Sequence, residues 1–216
     1  MELIVMMFKD RVEAGRRLAK LLKRYAVDDA VVYALPRGGV VLGAQIAKDL
    51  SLPLDIVLTK KIGLPSNPEY AIGACAEEGE PWCNPKVIKD IDPKWLEDEA
   101  GRIKEELGRR REEYPAPYIS PKDKIAIIVD DGVATGYTIK AAVKEIRSKK
   151  PKRLVVAVPV IPSDTARDLD RMVDDLQCIA REYFFLGAVG AYYDNFPQIQ
   201  DEEVIELLQA SNKQKV

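Results

Sequence analysis

Two adjacent carboxylates, Asp130 and Asp131, directly follow the apolar run from Ile125 to Val129. A short run rich in β-branched residues is typical of a strand that is buried on both faces of a mostly parallel sheet. Open α/β sheets bind their ligands at the carboxyl ends of such strands. Two carboxylates at that place can accept hydrogen bonds from a pair of vicinal hydroxyl groups, or they can face a metal ion. The pair therefore predicts a diol or metal site.

The turn after the two carboxylates contains groups that suit a phosphate. Gly132 and Gly136 lie in it, together with the hydroxyl groups of Thr135 and Thr138. Apolar residues then recur at helical spacing from Ile139, so a helix is predicted to begin here. Glycine lets the backbone approach a ligand closely, and the first N–H groups of a helix have no partner within the helix and attract anions. A phosphate at the turn and a diol at the carboxylates together describe a ribose 5-phosphate.

A second unit of strand, glycine turn and helix comes earlier in the chain. Residues 30–35 have the apolar character of a buried strand, and they lead into Pro36, Arg37, Gly38 and Gly39. Two exposed amides and an arginine at the start of a helix suit a polyanion such as pyrophosphate. A Gly-Gly pair often forms only a tight bend. The position of this turn at the end of a core strand therefore indicates a polyanion site more strongly than the Gly-Gly pair does.

Residues 127–138 resemble the 5-phosphoribosyl 1-diphosphate (PRPP) motif of the type I phosphoribosyltransferases, in which two acidic residues precede a Thr-Gly-x-Thr turn. Residues 34–44 are similar to the pyrophosphate loop of that family, most closely in its purine-salvage members. The overall pattern resembles the widely distributed phosphoribosyltransferase-like subgroup. This resemblance implies a doubly wound α/β fold with a mostly parallel sheet, a flexible loop or hairpin and a small C-terminal hood, in one domain over residues 1–216. It also implies a cis peptide bond between Pro36 and Arg37.

The resemblance implies a transferase that moves the 5-phosphoribosyl group of PRPP to a nitrogenous acceptor, such as a nucleobase, and releases pyrophosphate in nucleotide salvage. Asp130 and Asp131 would hold the ribose hydroxyls or the expected cofactor, Mg²⁺, the metal largely through PRPP and water. The residues implied in PRPP binding are Arg37, Gly38, Gly39, Asp130, Asp131, Gly132, Val133, Ala134, Thr135, Gly136, Tyr137 and Thr138.

The negative charge that grows on departing pyrophosphate would be stabilised by Arg37 and by the amides of Gly38 and Gly39. Two lysines follow the next predicted strand, residues 54–59, and Lys61 is the candidate to reach the pyrophosphate. A solvated lysine pair is the alternative interpretation. The catalytic residues expected from this scheme are Arg37, Lys61, Asp130 and Asp131.

Residues 184–197 concentrate aromatic side chains in an irregular stretch that contains glycine. A nucleobase needs a flat apolar face, which makes Tyr192, Tyr193 and Phe196 candidate base-binding residues. Aromatic residues at this place can also simply close the core. In the family, part of the hood that selects the base lies in this region. The resemblance therefore assigns residues 184–216 to a hood and a terminal helix.

One position departs from the pattern of the family's 6-oxopurine members. In those enzymes the residue before the Thr-Gly pair of the motif is an aspartate that handles the purine N7 proton. This chain has Ala134 at that position, and adenine and orotate enzymes also have a small residue there. Hypoxanthine, guanine and xanthine are therefore disfavoured as acceptors.

Residues 63–121 are predicted to form an insertion in three parts. A Gly/Pro/Asn-rich loop is expected over residues 63–70, a hairpin around residues 77–80 and a long charged helix over residues 93–114. The family has at this place a flexible loop that closes over PRPP and excludes water from the reactive centre. The apolar stripe of the long helix suits core packing or a dimer contact, and a homodimer is expected.

The composition excludes several classes of function. The 216 residues include no histidine, which removes Ser-His-Asp and Cys-His catalysis and every histidine-ligated metal site. A formal net charge of -2 provides no general attraction to nucleic acid or membranes. Three cysteines without metal-ligand spacing are typical of a reducing compartment. Because no apolar run approaches membrane-spanning length and residues 1–7 lack a basic leader, a cytoplasmic protein is expected.

Fold and binding motif do not by themselves establish turnover. The chief alternative is a non-catalytic regulatory protein that binds PRPP as a signal. A third class is a phosphatase or kinase of ribose phosphates that uses Asp130 as nucleophile or base. No side chain stands out as a general base for the transferase, so its catalysis is expected to be electrostatic and positional.

Overall fold

The computed structural model describes residues 7–26 and 29–213. In this part of the chain the strands are β1 (Ala30–Ala34), β2 (Leu54–Ile56), β3 (Thr59–Leu64), β4 (Asn67–Ala76), β5 (Trp82–Cys83), β6 (Ile125–Val129), β7 (Arg153–Pro162) and β8 (Asp175–Glu182). The helices are α1 (Arg11–Leu21), α2 (Gly38–Leu50), α3 (Pro93–Glu113), α4 (Tyr137–Ser148), α5 (Ser163–Asp170) and α6 (Asp201–Lys213). The described ranges leave out residues 1–6 and residues 214–216. The expected absence of a leader concerns the first of these segments, and the predicted hood segment ends in the second.

The main sheet has the strand order β2-β1-β6-β7-β8, and every neighbouring pair is parallel. The chain moves outward from β1 to β2 on one side, and from β6 through β7 to β8 on the other. The strand order therefore reverses between β1 and β6, which pair from Ala30 opposite Ile125 to Ala34 opposite Val129. Open α/β sheets bind ligands at such a switch point. Both predicted glycine turns leave the sheet here.

Helices cover both faces of this sheet, as the predicted doubly wound fold requires. Alternate side chains of β6 point to opposite faces, because the side-chain period of a strand is two. Ile127 and Val129 belong to the apolar layer that includes residues of α1 and α2. Ile128 belongs to the other layer, with Ile139 and Val143 of α4. All five residues of β6 are buried, as predicted for a central parallel strand.

A second sheet, of antiparallel strands in the order β3-β4-β5, corrects the prediction for residues 54–70. The predicted strand over 54–59 is too long, since β2 ends at Ile56 and a new strand begins at Thr59. The predicted irregular loop over 63–70 is also wrong, because β3 and β4 extend into it. The register shifts at Gly63, where an added Cβ would overlap the Pro68 carbonyl oxygen. Glycine there permits a β-bulge, so strand pairing continues through residues that usually interrupt it.

Two further elements predicted for this part of the chain are present in the structure. The hairpin around residues 77–80 is present as the antiparallel pair β4–β5, with Ala74 opposite Trp82. The long helix is α3, and its buried residues include Ile103 and Leu107. Ala74 also packs with Ala141 of α4, so the second sheet is docked onto the helix that follows the second predicted glycine turn. Within the described ranges, no helix has both the length and the apolar character needed to cross a membrane.

Candidate active site

The first glycine turn (residues 36–39) and the second glycine turn (residues 132–136) lie side by side at the carboxyl ends of β1 and β6. The Leu35 N–H donates to the Val129 carbonyl oxygen at 2.9 Å. A Cβ added at Gly39 would lie 2.9 Å from the Val129 oxygen and 3.1 Å from the Asp130 Cα. Only glycine permits this close approach. The Pro36–Arg37 peptide bond is cis, as the resemblance implied.

Asp131 forms an ion pair with Arg11, the first residue of α1. Arg11 Nε donates to Asp131 Oδ2 at 2.8 Å, and the two side chains are only 8% and 16% exposed. Arg11 Nη1 donates to the Pro197 carbonyl oxygen at 2.7 Å, and the guanidinium lies 3.6 Å from the centroid of the Phe196 ring. Three contacts therefore fix the guanidinium beside the two carboxylates. Sequence reasoning missed Arg11, since an arginine just after a helix-capping aspartate carries no local signal.

The two adjacent carboxylates have different electrostatic environments. Burial raises the pKa of Asp130 well above its ordinary value, and the neighbouring Asp131 charge raises it further. Burial also raises the pKa of Asp131, but the Arg11 charge and hydrogen bond oppose that effect. Asp131 is therefore the carboxylate that ionises more readily, and Asp130 is the one that more readily keeps a proton.

The second glycine turn is held in place by strands and helices around it. Gly136 has a φ of 76°, in the left-handed region that favours glycine, and forms the N-cap of α4. The Val133 N–H donates to the Val160 carbonyl oxygen at 2.9 Å. The Thr165 hydroxyl donates to the Ala134 carbonyl oxygen at 3.1 Å, so the start of α5 supports this turn. The free amides at the start of α4 then face the same edge of the sheet.

The hydroxyl-bearing residues of the PRPP-like motif have different exposures. Thr135 is exposed and Thr138 is half-buried, at the first turn of α4. The Tyr137 side chain turns toward the second sheet, where its ring centroid lies 5.3 Å from that of Trp82. Its hydroxyl accepts a hydrogen bond from the Asn84 amide at 3.3 Å. For Tyr137, therefore, only the backbone is placed to meet a ligand at this turn.

The three candidate base-binding residues lie in different surroundings. Tyr192 is 0% exposed, and its hydroxyl accepts a hydrogen bond from the Leu186 N–H at 3.0 Å. Tyr193 is 5% exposed and donates its hydroxyl proton to the Asp131 carbonyl oxygen at 2.6 Å. Burial raises the pKa of the Tyr193 hydroxyl above its ordinary value. Phe196 is half-buried against the Arg11 guanidinium. Of these rings, Phe196 is the one that borders open space.

A cavity of about 370 Å³ opens between the first glycine turn and the segment after Phe196. Its lining residues are Arg11, Arg37, Gly38, Phe196, Pro197, Gln198 and Ile199. Lys61, by contrast, is exposed on β3 opposite Ala74 in the second sheet, and not in a turn after β2. Its contact with pyrophosphate stays a prediction.

Asp201, the first residue of α6, forms an ion pair with Arg37 of the first glycine turn. Its Oδ2 lies 3.6 Å from Arg37 Nη1. Its Oδ1 accepts hydrogen bonds from the Tyr114 hydroxyl and, at 3.0 Å, from Arg110 Nη2. The Tyr114 hydrogen bond, with support from the two arginines, lowers the pKa of Asp201 although partial burial opposes this. Asp201 is not among the predicted site residues, because it lies far along the chain from the first glycine turn, which it contacts through Arg37.

Replacing Asp201 by asparagine is expected to lower the stability near neutral pH, with the difference vanishing in acid. The pKa of Asp201 is lower in the folded chain than in the unfolded chain, where it is roughly 3.9. Its contribution is therefore fully present above that value and is lost as the pH falls through the folded pKa. Urea unfolding of both proteins from neutral to strongly acidic pH measures this. A difference that does not change with pH would contradict the assignment.

Comparisons with known proteins agree with this geometry. Residues 9–194 match the phosphoribosyl transferase domain family. A protein of two Mycobacterium tuberculosis strains, named "Putative phosphoribosyl transferase", is 37% identical over 211 residues. That alignment covers 96% of this chain and 47% of the relative, so the chain spans about half the length of the curated relatives it matches. The crystal structure of TT1426 from Thermus thermophilus is 38% identical, has a TM-score of 0.80, and matches over 95% of this chain and 99% of its own.

The family match includes both glycine turns and the whole five-stranded sheet. With its parallel sheet, flanking helices and two adjacent glycine turns, the chain belongs to the phosphoribosyl transferase domain family and has the type I phosphoribosyltransferase fold.

Proposed function

We propose that this chain transfers the 5-phosphoribosyl group of PRPP to a nitrogenous acceptor, a nucleobase in the simplest case, and releases pyrophosphate. The observation that carries the proposal is the contact between the two glycine turns at the β1–β6 switch point, with Asp130 and Asp131 between them. PRPP needs a polyanion site, a diol site and a phosphate site within the length of one small molecule. The first glycine turn, the two aspartates and the second glycine turn would supply these three sites in that order.

The placement of PRPP follows from the donors and acceptors at the site. The ribose hydroxyls would donate to Asp130 and Asp131, which lie at the carboxyl end of β6. The 5-phosphate would accept from the backbone amides at the start of α4 and from the hydroxyls of Thr135 and Thr138. The pyrophosphate group would accept from the amides of the first glycine turn and from Arg37.

The donor set at the two aspartates also fits Mg²⁺. Within residues 7–26 and 29–213, no three metal-ligating side chains come together, so a metal held by protein groups alone is not supported. Mg²⁺ commonly binds through one or two carboxylates together with substrate phosphates and water, and Asp130 and Asp131 are such a pair. When bound, Mg²⁺ would neutralise part of the negative charge on the pyrophosphate.

The reaction would be a displacement at the anomeric carbon of the ribose. The bond from that carbon to the pyrophosphate oxygen breaks, and its electron pair leaves with pyrophosphate. The acceptor nitrogen forms the new bond, and its proton passes to solvent. Arg37 and the amides of Gly38 and Gly39 stabilise the charge that grows on the leaving group. Phe196, whose ring lies against Arg11 and Tyr193, stays the candidate for contact with the acceptor, while Tyr193 positions the backbone of Asp131.

The decisive experiment is the release of pyrophosphate from PRPP and Mg²⁺ in the presence of a panel of purine and pyrimidine bases. The control is the double variant Asp130→Asn and Asp131→Asn, which keeps the side-chain shapes beside Arg11. Release that depends on one base and is lost in the control would establish the transferase and identify its acceptor. If PRPP raises the melting temperature but no base causes release, the transferase proposal fails and the regulatory alternative takes its place.

Replacing Thr138 by valine is expected to weaken PRPP binding by roughly 10-fold to 100-fold, the usual effect of losing one hydrogen bond to a charged group. Valine keeps the branched shape and removes the hydroxyl, and the residue is only half-buried, so the melting temperature should change little. Isothermal titration with PRPP measures the affinity. Ser148→Ala at the other end of α4 is the matched control, since that hydroxyl donates to the Glu145 carbonyl oxygen. An affinity like that of the wild type would place the 5-phosphate elsewhere.

A further inference from the structure

Arg11 lies on the same cavity as the first glycine turn, although it belongs to a helix that precedes both motifs. We propose that Arg11 binds the pyrophosphate group of PRPP directly and forms, with Arg37, a clamp of two arginines on the leaving group. The inference rests on the proposed function. It adds to that function a binding residue that lies outside residues 34–44 and 127–138, the two segments that resemble motifs of the family.

The position of Arg11 supports direct contact with an anion at the first glycine turn. A Cβ added at Gly38 would overlap Asp131 Oδ2 and would lie 3.0 Å from Arg11 Nε, so the ion pair of these two side chains is adjacent to the backbone that would hold pyrophosphate. Arg37 lines the same cavity and is held by Asp201. In the described part of the chain this lining contains two arginines, and their carboxylate partners, Asp131 at 2.8 Å and Asp201 at 3.6 Å, lie outside it. Two guanidinium groups beside open amides suit a diphosphate, whose oxygens can accept several charged hydrogen bonds.

The contacts of Arg11 leave donors available for a ligand. Nε is used by Asp131 and Nη1 by the Pro197 carbonyl oxygen, and the ring of Phe196 supports the guanidinium plane. Among the described residues, Nη2 makes no hydrogen bond to the protein, so both of its N–H groups can donate to a phosphate oxygen. Because the guanidinium is already fixed, little side-chain entropy would be lost on binding.

The geometry also gives Arg11 a role that differs from that of Arg37. Arg11 contacts Asp131, which would hold the ribose, and faces the cavity that would hold the pyrophosphate. It therefore lies between the two groups that separate in the reaction. As the bond between the anomeric carbon and the pyrophosphate oxygen breaks, negative charge grows on the pyrophosphate side, and a fixed positive charge there stabilises the transition state more than the ground state.

The experiment must separate direct binding from an effect transmitted through Asp131. Inorganic pyrophosphate and ribose 5-phosphate are titrated separately into four proteins of 216 residues: the wild type, Asp131→Asn, Arg11→Met and the combined variant. Direct contact predicts that Arg11→Met weakens pyrophosphate binding by roughly 10-fold to 100-fold, and by a similar factor when Asp131 is already asparagine. If Arg11 acts only by positioning Asp131, its replacement would change ribose 5-phosphate binding alone, and would change nothing in the Asp131→Asn protein. That outcome would overturn the proposal.

Two further variants keep the test interpretable. Arg16→Met removes the same charge from the exposed side of α1, and it is expected to leave pyrophosphate affinity within about twofold of the wild type. Arg11→Lys keeps the charge without the planar fork and should restore only part of the affinity; it serves as the direct test if Arg11→Met does not fold. A wild-type protein that binds no pyrophosphate would also refute the assignment. If pyrophosphate binds through Arg11 and no base causes turnover, the assignment stands while the proposed transferase activity fails.

Discussion

Replacing Arg111 by alanine is expected to lower the free energy of unfolding by about 3–5 kcal/mol, the usual cost of removing one partner from a buried ion pair. Arg111 is 4% exposed and lies near the end of α3. Its Nη2 donates to Asp55 Oδ1 at 2.7 Å, and its Nη1 donates to the Ile56 carbonyl oxygen at 2.7 Å. Asp55 is 2% exposed. Without the guanidinium, a buried carboxylate on β2 loses its cation.

Urea unfolding of the wild type and Arg111→Ala measures this effect. Arg102→Ala is the matched control on α3, because Arg102 is 60% exposed and pairs with Glu99 at the surface. Its loss should change the stability little, since water screens an exposed ion pair. Adding Asp55→Asn to Arg111→Ala should recover part of the loss, since the amide carries no charge that needs a cation. Equal effects of the two arginine substitutions would mean that the buried pair does not hold α3 against the sheet.

The second large effect is expected from Gly39→Ala, which should weaken PRPP binding by roughly 100-fold, the scale of a misplacement near 1 Å at a reacting site. The new Cβ would lie 2.9 Å from the Val129 carbonyl oxygen and 3.1 Å from the Asp130 Cα. Both are backbone atoms, at the end of β6 and directly after it, and they cannot turn aside as a side chain can. The first glycine turn must then move away from Asp130, and the polyanion and diol sites no longer match one ligand.

Gly43→Ala is the control that separates this effect from general instability. Gly43 lies one turn further along the same helix, and its added Cβ would lie 2.7 Å from the Ala34 Cβ, so it meets side chains of β1 and β2 and not the backbone at Asp130. Both substitutions should cost about 1–3 kcal/mol of stability through overpacking. Titration calorimetry with PRPP, together with thermal unfolding, measures both quantities. If the two variants bind PRPP equally well, the contact between the turns does not organise the binding site.

The elements that form the sheet and its two glycine turns could be predicted because their signals are local. The buried run from Ile125 to Val129, the helical spacing after Gly136 and the Gly38–Gly39 pair each act within a few residues. Parallel strands must end at a common edge, so local patterns were sufficient to bring the two motifs to the same place. The second sheet was only partly predictable. Glycine and proline usually interrupt strands, whereas here a bulge at Gly63 lets pairing continue.

The sequence by itself therefore determined the fold class and the positions of the two glycine turns, and the tertiary structure decided how the side chains around them are held. Arg11 meets Asp131 across 120 positions of the chain, and Tyr193 meets the Asp131 carbonyl oxygen across 62. Asp201 reaches Arg37 from the far end of the sequence. No periodicity or turn signal records such pairs, because they depend on how helices pack around the finished sheet. Local propensity specifies elements, while long-range packing specifies which charges become neighbours.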